Sequence, residues 1–294
     1  MKKPILGSHV GMSKSNKHGE YLIGSFNESL SYGANTFMIF SGPPQNTMRT
    51  DLDKLHIKEM KELMRNNNLD MKNLIVHAPY LINISNPVNQ NTWDFGVDFL
   101  TKEILRCEGM GINILVLHPG ARLKGDYQKA LDALVKGLDA VAANQKNTII
   151  ALETMSGKGS EVGINLKDFA YVLSKVKEPD KVAVCLDTCH MHDAGYNLSD
   201  WDAVKQEIKQ TVGKEKIRCF HLNDSQNPIS AHKDRHENIG YGHIGFDTLL
   251  KILWDKEYID VPKVLETPYH NDKPPYKEEI YNLLNKQHIL KIKD

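Results

Sequence analysis

Six residues that could bind a metal or move a proton close six consecutive apolar runs: His77, His118, Glu153, Asp187, His221 and Glu266. His190 follows Asp187 by three positions, and a further pair, Asp234-x-His236, lies in a long polar stretch. A lone His or Asp at the end of such a run is usually a cap or a satisfied core group. Six together are a different matter. Gathering that many carboxylates and imidazoles in one cavity without cations would bury unpaired charge, at several kcal/mol per ion. Imidazole and carboxylate donors without thiolate favour Zn2+, with Mn2+, Fe2+ and Co2+ as competitors. Nine candidate ligands exceed what one four-coordinate ion can use, so two or three ions are implied.

These residues need a scaffold that brings distant parts of the chain to one place. Eight runs rich in Val, Ile and Leu read as strands: 4–10, 35–40, 73–78, 112–119, 147–154, 181–188, 217–224 and 263–268. Each is followed by a stretch that reads as helix, such as 51–67, 93–109, 126–144 and 199–213. In 126–144, Leu131, Leu134, Val135, Leu138 and Val141 form one helical stripe. In 199–213, Ser199 is a plausible N-cap and Gly213 a plausible stop. Eight alternating units predict a parallel sheet covered by helices, and eight is the number that closes a (β/α)8 barrel. We expect a single α/β domain over 1–294, a TIM barrel with its metal site at the C-terminal face. An open doubly wound sheet is the rival, weakened because no GxGxxG follows the first strand. Side chains alternate along a strand, so Ile75, Val116, Ala151, Cys185, Cys219 and Val264, two positions before the strand-end groups, should point inward beneath them.

Composition narrows the class. The chain has 294 residues, 40% apolar and 25% charged, enough for a sizeable core. No stretch approaches about eighteen uninterrupted apolar residues, so no membrane span is expected. The start, "MKKPILGSHVGMS", lacks the long apolar core of a signal peptide, and a cytoplasmic location is expected. Formal net charge is zero. A polyanionic partner must then be held by a local basic surface or by bound cations. Cys185 and Cys189 are spaced C-x3-C, but no second pair completes a thiolate zinc site.

"GSHV" (7–10), "HAPYLINIS" (77–85), "LHPG" (117–120), "LETMSGKGSEVG" (152–163), "LDTCHMHDAGY" (186–196), "FHLNDS" (220–225), "DRHENIGYGHIG" (234–245) and "LETP" (265–268) together resemble endonuclease IV, the zinc-dependent apurinic/apyrimidinic (AP) endonuclease family of base-excision repair. The resemblance spans the whole chain. It implies a trinuclear zinc cluster, three Zn2+ per chain, with Mn2+ an alternative at one site. The first ion would take His77 and His118, with Glu153 bridging to the second. The second would also take Asp187, His221 and Glu266, and the third His190, Asp234 and His236. It implies cleavage of double-stranded DNA 5′ of an abasic site, leaving a 3′-hydroxyl, with trimming of blocked 3′ ends. Glu153 would orient the attacking hydroxide. Tyr80 and Leu81 match positions inserted beside the lesion. His9 reads as a supporting or DNA-contacting group, Arg49 and Arg235 as candidate phosphate contacts. The stretch "FSGPPQNTMR" (40–49) departs from better-known family members, so its wedge residue is unassigned. A monomer is expected. The rivals are a metal-dependent sugar isomerase or epimerase on a similar barrel, and a non-catalytic damaged-DNA-binding module. The first gives His77, His118 and the Asp234/His236 pair no evident job, and the complete ligand set argues against the second.

Overall fold

The computed structural model describes residues 2–289. Eight parallel strands close a barrel: β1 (Leu6–His9), β2 (Thr36–Phe40), β3 (Ile75–His77), β4 (Ile114–Leu117), β5 (Ile149–Glu153), β6 (Val182–Asp187), β7 (Ile217–His221) and β10 (Lys263–Leu265). Closure runs through β1, which pairs with β2 on one side and with β10 on the other, Leu6 facing Lys263 and Ser8 facing Leu265. Gly7 in β1 permits this. A Cβ there would stand 1.9 Å from the Thr36 carbonyl oxygen, so a side chain would drive β1 from its neighbour. Two further short strands, β8 (Asp224–Ser225) and β9 (His236–Glu237), form an antiparallel ribbon outside the barrel.

The core has two compartments. Ile75, Val116, Ala151, Cys185, Cys219 and Val264, with Met38, Ile114 and Ala183, make a separate buried cluster inside the barrel. All six positions expected to point inward are among them. The larger compartment lies between strands and helices. Helix α4 (Tyr127–Val141) shows how it is built: the Asp126 carboxylate caps its N-terminus by accepting from the Lys129 N–H, and Leu131, Leu134, Leu138 and Val141 bury one stripe. Val135 sits at the stripe's edge, half-buried. Each fully buried leucine contributes about 1.5–3 kcal/mol.

Boundaries differ from the sequence reading in a few places. Helix α7 (Trp201–Thr211) starts two residues after Ser199. Its cap is Asp200, whose side chain accepts from the Ala203 N–H, because Ser199 lies in a 3-10 turn, bonded to the Asn197 side chain. Gly213 does stop the helix, at φ +83°, its N–H reaching back to the Ile208 carbonyl. Strands β4 and β10 end one residue before His118 and Glu266, so these two side chains start the loops at the barrel mouth.

Lys263 is fully buried at the opposite end of β10 from the mouth. Its ammonium donates to the carbonyls of Tyr258 (2.6 Å) and Val261 (2.9 Å) and lies over the Phe220 ring. Burial pushes its pKa down to about 7. A lysine depressed in the folded state contributes stability that is complete above its unfolded value, near 10.5, and lost as pH falls towards about 7. Urea unfolding of wild type and K263M at pH 9 and pH 7 should therefore diverge. We expect the variant to gain about 2–3 kcal/mol relative to wild type over that interval, at about 1.4 kcal/mol per pH unit. A pH-independent difference would contradict the burial argument.

Candidate metal centre

The C-terminal mouth of the barrel holds all nine strand-end and loop groups. Glu153, fully buried at the end of β5, lies at the centre. Its Oε2 is 3.2 Å from His77 Nε2 and 3.2 Å from His118 Nε2. Its Oε1 is 2.9 Å from His221 Nδ1 and 3.3 Å from His190 Nδ1. His221 Nδ1 also lies 3.0 Å from Glu266 Oε2, and His190 Nε2 lies 3.0 Å from Asp234 Oδ1. Donor atoms fall within 4.8 Å of one another in the sets His77–His118–Glu153, Glu153–Asp187–His221–Glu266 and His190–Asp234–His236. Two further sets, His77–His221–Glu266 and Asp187–Cys189–His236, cut across these three, so the donors form one continuous cluster.

Local structure explains how the chain delivers them. Asp187 ends β6 and also caps helix α6 (Thr188–Ala194), its Oδ1 accepting from the His190 N–H at 2.8 Å. This strand-to-helix elbow is why a carboxylate and an imidazole three residues apart face one cavity. The β8–β9 ribbon pairs Ser225 with His236 and returns the long loop to the mouth. Asn223, at the ribbon's root, donates to Asp187 Oδ2 and accepts from the Glu266 N–H, both at 2.8 Å.

The imidazoles are set for ligation. Nδ1 of His77, His190 and His236 lies 2.7, 2.9 and 3.1 Å from the carbonyls of Ala78, Thr154 and Glu266. A carbonyl only accepts, so each Nδ1 carries the proton and each Nε2 presents a lone pair to the cluster. The buried Nε2 of His236 has no hydrogen-bond partner, though Asp187 and Asp234 stand 3.6 and 3.7 Å away. A buried orphan nitrogen among carboxylates is the expected trace of a cation site. Without cations the charges fall on protons. Burial depresses His190 and His221, yet Asp187, Asp234 and Glu153 around the first, and Glu153 and Glu266 around the second, outweigh it and raise both pKa values well above normal. Burial raises Glu153 and the surrounding imidazoles reverse that, holding it well below the usual carboxylate range. The donor set fits divalent cations bound by nitrogen and oxygen.

The other expected site residues are placed unequally. Tyr80 (57% exposed) and Leu81 (40% exposed) stand at the rim, the Tyr80 ring 5.3 Å from that of His118. His9 packs edge-on against Phe40 beside the cluster, and burial lowers its pKa to about 4. Arg235 is exposed, one guanidinium nitrogen 3.1 Å from the Asp234 carbonyl. Arg49 is not displayed for phosphate. Its Nε is 2.7 Å from the buried carboxylate of Glu103, its Nη1 donates to the carbonyls of Pro43, Asn46 and Met48, and it lies over the Phe99 ring. It fastens loop 40–49 from beneath, because a buried glutamate on helix α3 (Gln90–Met110) claims its charge. Sequence reasoning missed Asn223, Glu103 and Glu161, the last a wall of the mouth cavity. Asn223 stood in "FHLNDS" beside His221, but nothing in its type announced a carboxylate clamp.

Residues 26–286 match the family described as the xylose isomerase-like TIM barrel. A protein of Mesoplasma florum named probable endonuclease 4 is 70% identical, over 100% of both chains. The chain belongs to the endonuclease IV family. A second relative, the probable endonuclease 4 of Mycoplasma capricolum, is 57% identical over 97% of this chain and 98% of its own. Among solved structures, endonuclease IV from Thermus thermophilus superposes with TM-score 0.81 at 23% identity, covering 96% of this chain and 99% of that one. A D-tagatose 3-epimerase-like protein superposes with TM-score 0.67 at 20% identity, covering 95% and 96%. These two show the shared barrel. The family is metal-dependent, and the candidate ligand clusters of this chain sit at the barrel mouth.

If Asn223 orients two metal-binding carboxylates, N223A should weaken the bound metal about 10–100-fold, as loss of such partners typically does. Competition with a chelator of known affinity measures this. Unchanged affinity in a folded N223A protein would remove Asn223 from the site.

Proposed function

We propose that this protein is an AP endonuclease that cleaves the backbone of double-stranded DNA 5′ of abasic sites, leaves a 3′-hydroxyl, and trims blocked 3′ ends. The observation that carries the reading is the meeting of three donor sets on one buried carboxylate at the barrel mouth, in a chain of the endonuclease IV family. Three Zn2+ ions are the proposed complement, with Mn2+ an alternative at one site. His77 and His118 would hold the first, Asp187, His221 and Glu266 the second, and His190, Asp234 and His236 the third, with Glu153 shared between the first two. Bound, these ions make hydroxide available at neutral pH and offset the charge of the phosphate oxygens and the leaving 3′ oxygen. Against the four carboxylates of the cluster, three divalent cations leave two positive charges, a suitable host for a phosphodiester.

The chain's own residues do the rest. Glu153 touches both the His77/His118 side and the His221 side, so it is the acceptor placed to orient an attacking water. The cavity over the cluster measures about 420 Å³ and is walled by His9, Tyr80, Glu161 and Tyr276. It suits a sugar-phosphate turned out of the duplex, and turning out costs least where the base is missing. Tyr80 and Leu81 are proposed to fill the gap left in the stack, as apolar wedges do when they kink DNA. Lys158, whose ammonium is 3.9 Å from Asp234, and exposed Arg235 are proposed phosphate contacts; Arg49 is not. The proposed unit is a monomer acting in the cytoplasm. A sugar isomerase or epimerase would leave His77, His118 and His236, all at the cavity, without work.

A duplex with one abasic analogue should be nicked on its 5′ side, and removing metal with a chelator should abolish nicking. An intact enzyme that binds the duplex without nicking it would convert the reading to a damage-binding module. E153Q should lower the single-turnover rate by about 100-fold or more, the scale of a lost acid-base or orienting group. Near-normal nicking with normal metal content would contradict the role. Replacing Tyr80 and Leu81 together by alanine should cut the preference for abasic over intact duplex about tenfold, or ~1.4 kcal/mol, in binding assays.

A further inference from the structure

The loop carrying Asp234 and His236 follows a costly backbone path. Ser230, His232 and Asp234 have φ of +64°, +52° and +54°, left-handed at alternate positions with no glycine among them. Such conformations persist only where the surroundings impose them. Backbone carbonyls of α6 hold Ser230 and His232, and one side chain holds the stretch that ends in Asp234. Asp193 is fully buried on α6, three residues beyond His190. Its Oδ2 accepts from the backbone N–H of Lys233 at 3.1 Å and of Asp234 at 2.9 Å. Its Oδ1 accepts from the Ser225 hydroxyl at 2.7 Å, and its own carbonyl accepts from the His232 N–H at 3.1 Å. Ser225 pairs in register with His236. A single carboxylate thus ties both arms of the loop to the helix that carries His190.

We propose that Asp193 is a positioning residue for the third cation: it makes a rigid unit of His190, Asp234 and His236, so that this ion alone is lost when it is removed. The proposal rests on the three-cation reading given above. His190 comes from a helix set by the Asp187 cap, whereas Asp234 and His236 come from a loop whose backbone at 233–234 is held by Asp193 and at 236 by the ribbon. The loop reaches the other donors at one place, where His236 Nε2 lies 3.6 Å from Asp187 Oδ2, while His77, His118, Glu153, His221 and Glu266 all come from outside it. Loosening it should leave the donors of the first two ions in place, since Asp187 is held by its own strand end and by Asn223.

The test counts zinc in zinc-loaded, gel-filtered protein by elemental analysis, and follows zinc release to a chromogenic chelator. Wild type should hold three per chain. D193A should hold two, with the third released or bound about 10–100-fold more weakly. D193N should restore it, because the amide oxygen can take both backbone N–H donors while its NH2 faces the Ser225 hydroxyl. S225A removes one arm and should shift the same ion by a smaller factor, which keeps the question answerable if D193A fails to fold. A folded D193A protein that keeps three zincs with wild-type release overturns the proposal. So does an equal loss of all three ions in D193A and D193N, the sign of a general folding role. Fewer than three zincs in wild type overturns the three-cation reading itself, whatever D193A does.

Discussion

One buried carboxylate within reach of four imidazoles governs the mouth of this barrel. Glu153 has almost no solvent to share its charge, so its neighbours must carry the balance. Protons on His190 and His221 are one solution, and cations at the same lone pairs are the other; the two compete. The backbone carbonyls that take the Nδ1 protons of His77, His190 and His236 tilt this competition, since they leave Nε2 bare and fixed in direction. A cluster built only for ion pairs would have no use for that orientation. The barrel supplies the geometry: parallel strands ending at one level bring residues from position 77 to position 266 into one cavity.

Much of this was legible because a strand's alternation is rigid. Once the strands were placed, an apolar residue two positions before each strand-end group had to lie inside the barrel, and the inner cluster holds all six. The ends themselves were less legible. His118 and Glu266 lie one residue past the last paired position, because ladder hydrogen bonds stop before the chain turns outward. Side-chain direction survived this fraying and strand length did not. Ser199 was misjudged for a related reason. Three candidate caps, Asn197, Ser199 and Asp200, stand together; Asn197 caps the short 3-10 turn and Asp200 the helix, which leaves Ser199 inside the turn.

What escaped the sequence are polar residues whose partner is a backbone group or another buried charge. Arg49 read as a free cation because its partner Glu103 is 54 residues away on a helix, where a buried glutamate looks like any surface glutamate. The same blindness hid Asn223 and Asp193. Their type permits many roles, and only the fold decides: Asn223 meets Asp187 and Glu266, and Asp193 meets the backbone of 233–234. Motifs that carry ligands are visible as types at strand ends. The groups that aim those ligands are visible only once distances exist.

The neutral net charge of the chain bears on how such a site would choose its substrate. Without a strong overall field, long-range attraction to duplex DNA is weak, and affinity must come from local contacts. The cluster is recessed below Tyr80 and Leu81, so its positive charge would meet a phosphate only when the backbone bends inward and a nucleotide leaves the stack. That distortion costs a few kcal/mol in intact DNA and less where a base is absent. On the proposed reading, a site of this shape would convert the missing base into depth of entry. Discrimination would then arise from the deformability of the damaged strand more than from any contact with a base, a reading in keeping with a cavity wall of imidazoles, carboxylates and tyrosines.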